Sequence, residues 1–154
     1  MNKDRKIYYK VIVEETRLSF STINTPDIYR EHKELGVKYP IKEWAKPIIP
    51  HSKLFVFDSE YYAYMFAASE DYSEAFDEDE YRHRIVPCYV RNPIKIKELM
   101  ISFAGDTLNL GPLTYWQDFN KNKKNLRRFF EKNMKNLRPV PKGTVFCDSV
   151  YCLE

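Results

Sequence analysis

The chain has 154 residues, 44% of them hydrophobic and 16% aromatic, enough apolar surface for one core and too much for disorder over most of its length. A net charge of +3 selects no partner by itself, and three cysteines, Cys88, Cys147 and Cys152, are too few and odd in number for a secreted disulfide framework. The N-terminus is charged and then alternates, with no apolar run long enough for a signal peptide, no stretch reaches membrane-spanning length and no N-glycosylation sequon occurs, so the expectation is one cytoplasmic domain over residues 1–154.

Ile7–Val13, rich in β-branched and aromatic residues, predicts a first strand. Thr16–Ile23 alternates Leu18, Phe20 and Thr22 against Arg17, Ser19 and Ser21, a half-buried strand paired to the first through a turn at Glu14 and Glu15. From Asn24 to Pro50, four prolines and Gly36 imply irregular structure with one short helix near Asp27–Leu35. Lys53–Phe57 reads as a central strand. Asp58 or Ser59 can then cap a helix through Glu60–Ala68, in which Tyr62, Phe66 and Ser69, or Ala63, Phe66 and Ala67, share a face.

The segment Ser69–Glu80 is acidic and without periodicity, as a solvated loop would be. Arg84–Val90 is another strand, and Pro87, having no N–H, predicts an edge position or a bulge. Asn92-Pro93 fits the start of a short helix carrying Ile96, Leu99, Met100 and Phe103 on one face, and Ile94 and Ile96 also fit an alternating strand. The clearest helix follows, with Leu126, Phe129, Phe130, Met134 and Leu137 on one side. Lys121, Lys124, Arg128, Lys132 and Lys135 lie on the other, and Arg138-Pro139 ends it. Thr144–Cys147 and Val150–Leu153 predict two last strands. The fold class expected is α+β: a mixed, mainly antiparallel sheet of five to seven strands with two or three packed helices.

Chemistry is sparse. Gly36, Gly105, Gly111 and Gly143 are too far apart to cradle a phosphate, and no cofactor is implied. Cys147 and Cys152 form one loose pair with no second pair among His32, His51, His83 and Cys88, so they read as small buried hydrophobes and no metal site is expected. Cys88 with His83, or Ser52 beside His51, carries no local signature of a nucleophile and its base, and Asp77–Glu80 lacks the glycine and ligand spacing of a calcium loop.

Charge distribution says more. Leu54–Tyr81 holds nine acids and no Lys or Arg, whereas Lys121–Lys142 holds nine basic residues and one acid, Glu131. The cationic stripe Lys121, Lys124, Arg128, Lys132 and Lys135 is therefore the expected binding surface, for nucleic acid or an acidic protein partner. The twelve tyrosines also suit a subunit of a larger or homo-oligomeric assembly.

The segment KLFVFDSEYYAYMFA resembles a strand–helix element of ADP-ribosyltransferase-like domains, with Phe57, Ser59, Ala63, Phe66 and Ala67 at the matching positions. Together with VPCYVRN and PKGTVFCDSV, it is also similar to small uncharacterised bacterial and phage proteins. The resemblance implies, as the alternative to a non-enzymatic binding or accessory protein, a transferase-like or degenerate enzyme with a cleft near Ser59. The first strand carries no glycine, however, and no strand-borne glutamate matches the catalytic one.

Overall fold

A computed structural model describes residues 5–19, 37–48, 53–70, 82–95 and 141–154 of the protein. In chain order these form β1 (Tyr8–Val13), β2 (Trp44–Ala45), β3 (Leu54–Phe57), α1 (Glu60–Glu70), β4 (His83–Arg91), β5 (Thr144–Cys147) and β6 (Ser149–Cys152). All five strand pairings are antiparallel, and the sheet order is β2-β6-β4-β1-β3-β5.

The fold class corrects the expectation from sequence. Among the described residues the six strands pair only antiparallel, with one isolated parallel bridge between Ile41 and Cys152, and one helix packs on them instead of two or three. Asn92 marks one reason for the difference. It has a φ of 53° rather than the extended backbone of a helix cap, and Ile94 bridges to Phe146 instead of opening a helical turn, while Ile96, Leu99, Met100 and Phe103 lie outside the described residues. The helices expected near Asp27–Leu35 and over Lys121–Leu137 lie outside the described residues, as does the acidic stretch from Asp71.

The sheet closes on itself. Strands β5 and β6 are one extended stretch interrupted only at Asp148. One edge of that stretch pairs with β4 from Cys88↔Cys152 to Arg91↔Ser149, and the bridge Ile94↔Phe146 falls where the same register extended would place it. The other edge pairs first with β3, Leu54↔Cys147 to Phe57↔Thr144, then with β2, Trp44↔Tyr151 and Ala45↔Val150. Since β4 and β3 are themselves joined through β1, the ring β4–β1–β3–β5/β6 is complete.

Asp148 also shifts the side-chain phase. Strict alternation would keep odd residues inside along the whole stretch. Instead Val145 and Cys147 face inward before Asp148, and Val150 and Cys152 after it. The corner is tied by the Asp148 carboxylate, which accepts from Lys53 Nζ at 2.5 Å and from Asn92 Nδ2 at 2.8 Å.

Two clusters follow from this closure. Inside lie Tyr8, Ile12, Leu54, Val56, Val86, Cys88, Val90, Val145, Cys147, Val150 and Cys152, with Tyr39 and Ala45. On the outer face, α1 sets Ala63, Phe66 and Ala67 against Val11, Val13 and Phe57. Phe66 meets Phe57 at 5.1 Å and Phe55 edge-on at 6.0 Å. Burying a phenylalanine stabilises a fold by about 1.5–3 kcal/mol, so this ring anchors the helix. Ser59 caps it, its Oγ accepting the Tyr62 N–H at 3.2 Å. The turn before β5 packs against this helix and fits only glycine: Gly143 has a φ of 84°, and a Cβ there would lie 2.5 Å from Tyr62 Cδ2.

Pro87 is a second correction. Strand β4 lies between β6 and β1, not at an edge. The proline is tolerated because its carbonyl accepts from Leu153 N at 2.9 Å, so its missing N–H faces the residue just past the end of β6.

Candidate functional site

Two polar or aromatic constellations are assembled from distant parts of the chain, one inside the ring and one outside it. The inner one centres on Lys10. Its position in β1 has the inward phase of Tyr8 and Ile12, so the alternation that buries them buries it too, at 1% exposure. The ammonium donates to Phe55 O at 2.8 Å and lies 3.8 Å from the Phe55 ring centroid and 4.7 Å from that of Tyr39.

Burial lowers the Lys10 pKa to about 8, opposed by the nearby thiols of Cys147, Cys88 and Cys152. Burial raises all three thiols, Cys147 to about 12, and raises the Tyr39 phenol well above its usual value. The thiols are therefore protonated and poor nucleophiles at neutral pH. All three cysteines are free and buried, as small hydrophobic residues of the core.

The outer constellation crosses three strands at one level. Trp44 of β2 faces Tyr151 of β6, and Tyr151 faces Tyr89 of β4. The mirrored tripeptides Cys88-Tyr89-Val90 and Val150-Tyr151-Cys152 pair like with like. Cysteine meets cysteine and valine meets valine inside, and tyrosine meets tyrosine outside. The Trp44 and Tyr151 centroids are 5.3 Å apart, and Tyr151 and Tyr89 stack at 6.3 Å with planes only 20° apart. These spacings follow from the inter-strand distance of about 4.8 Å.

Two exposed arginines lie over this row. Arg91 Cζ is 3.9 Å from the Trp44 centroid, and Arg5 Cζ is 5.3 Å from that of Trp44 and 4.9 Å from that of Tyr89. Among the described residues neither arginine has a carboxylate within salt-bridge distance. Lys42 and Lys46, two positions to either side of Trp44, are also exposed, and the three rings are half-buried. The row is thus an amphipathic, cation-rimmed platform, whereas the Lys10 centre is sealed.

Lys121, Lys124, Arg128, Lys132 and Lys135 lie outside the described residues, as do His32, His51, Ser52 and Asp77–Glu80. Ser59 is half-buried and its hydroxyl caps α1, while Phe57, Ala63, Phe66 and Ala67 pack in the outer cluster. His83 and Cys88 have opposite phases on β4, so the strand does not bring them together. Among the described residues no group of three or more His, Cys, Asp or Glu is placed to hold a metal ion, and no helix is long and apolar enough to cross a membrane.

The aromatic row went unseen in the sequence because its members come from three separate segments. The signal that could have found it is the tyrosine at the outward position of both CYV and VYC. Compared with known proteins, the chain matches no family model, no curated protein and no solved structure.

Proposed function

We propose that the protein is a non-enzymatic binding module for nucleic acid, with the Trp44–Tyr151–Tyr89 row and its arginines Arg5 and Arg91 as the contact surface. The observation that carries this reading is the stacking of two exposed guanidinium groups on a continuous row of aromatic rings. Arginine and aromatic faces are the two groups that together recognise a phosphate backbone and the faces of its bases. The cations Lys121, Lys124, Arg128, Lys132 and Lys135 supply a second electrostatic component, since release of condensed counterions drives such contacts. The sealed Lys10 centre supports no catalytic role.

The test is fluorescence anisotropy with labelled DNA and RNA oligonucleotides at low salt. The wild type binds, with a log–log salt slope to which Arg5, Arg91, Lys42 and Lys46 contribute about −3 at one phosphate each. Arg5→Gln with Arg91→Gln reduces the slope by about one to two. Charge reversal at Lys124, Arg128 and Lys135 weakens binding with little change in melting temperature. Absence of binding to any nucleic acid at low salt, or binding only to an acidic protein, overturns the proposal.

A further inference from the structure

We infer that the nucleic acid taken by this surface is single-stranded, with bases laid on the faces of Trp44, Tyr151 and Tyr89. The inference rests on the nucleic-acid reading above and goes beyond it in naming the form of the ligand.

Three observations carry it. The rings stand side by side, one per strand, with centroids 5.3 and 6.3 Å apart, so successive rings can meet successive bases of an extended strand. A duplex hides those base faces in its own stack. Next, the surface belongs to the outer face of three adjacent strands, β2, β6 and β4. Two inter-strand spacings already span about 10 Å, and the closed ring stands behind them, so this face cannot enter a major groove about 12 Å wide as a helix or a two-stranded ribbon would. Finally, the five residues of the platform are Trp, Tyr and Arg, with no Asn, Gln, Asp or Glu among them. Stacking is therefore the main source of affinity, and sequence preference is weak.

The α1 helix places a limit on the platform. It covers the outer face at Val11, Val13, Phe57 and Ile85, on the β1–β3 side of the sheet. Among the described residues the path left to a strand runs over β4, β6 and β2, where Arg5 and Arg91 now lie over the Trp44 and Tyr89 rings, so an incoming base displaces a guanidinium from its ring face and leaves it to take a phosphate.

The experiment uses the full chain carrying Trp116→Phe, which leaves Trp44 as its one tryptophan, since the protein has two. It is titrated with a 12-nucleotide single-stranded RNA, the DNA of the same sequence, and a blunt hairpin duplex of matched composition. The single strands bind at least about tenfold more tightly than the duplex and quench Trp44 emission. Tyr151→Leu and Tyr89→Leu, which keep apolar bulk but remove the ring, each weaken single-strand binding about tenfold. If either fails to fold by circular dichroism, Arg91→Gln at an exposed position takes its place and must reduce the Trp44 quenching. Duplex binding as tight as single-strand binding, with Trp44 emission unchanged, overturns the single-strand inference and leaves the nucleic-acid reading standing. Absence of binding to all three probes overturns both.

Discussion

Lys10 is the residue at which local pattern and chemistry conflict most sharply. Its place in β1 forces it inside, and the Phe55 carbonyl with two aromatic faces compensates only part of the lost hydration. Its pKa is about 8 when folded and 10.5 when unfolded, so between those values the unfolded chain holds the extra proton and stability rises with pH. The thiols of Cys88, Cys147 and Cys152 act in the opposite sense. Their folded pKa values are raised above 9.0, so their contribution is lost as pH rises through the alkaline range, as is that of Tyr39 above 10.0. Subtracting a Lys10→Met variant isolates the lysine. In urea denaturation the stability of the wild type relative to that variant increases from pH 8 to pH 10; a flat difference would mean that Lys10 stays protonated in the fold.

At the scale of elements, α1 depends on one cap and one ring. Ser59→Ala removes the acceptor of the Tyr62 N–H and lowers stability by about 1 kcal/mol, seen as an earlier urea midpoint, while Ser59→Asp restores it. A loss that Asp does not rescue would point to a role for the hydroxyl other than capping. This strand–cap–helix unit was legible because each part is local: an apolar run, a serine and a helical face. Strands β1 and β4–β6 were legible for the same reason, as β-branched and aromatic runs. What could not be read is what depends on partners. Pro87 sits in an interior strand because the strand facing its missing donor stops short. Asn92 reads as a helix cap until its carboxamide is seen tied to Asp148. Strand β2, two residues among prolines, has no period to detect and exists through pairing with β6. The candidate site fails to show for the same reason. Trp44, Tyr89 and Tyr151 are ordinary outward residues until the sheet closes and sets them in a row.

For the whole molecule, the governing feature is that residues 144–152 close the ring by joining β4 to β3, the two strands that flank β1. They hold β4 along one edge, and β3 then β2 along the other. During translation they emerge after all of these, so among the described residues β3 and β4 each lack a strand partner until residues 144–152 leave the ribosome. A chain ended at residue 140 therefore elutes as associated species in size-exclusion chromatography, through those two edges. A synthetic peptide of residues 141–154, added during refolding, returns it to the elution volume of the intact protein. Failure of the peptide to do so would mean that the ring can be built without its last strand. Closure by residues 144–152 makes assembly of the ring wait for that segment: neither the core around Lys10 nor the aromatic row is complete before it pairs.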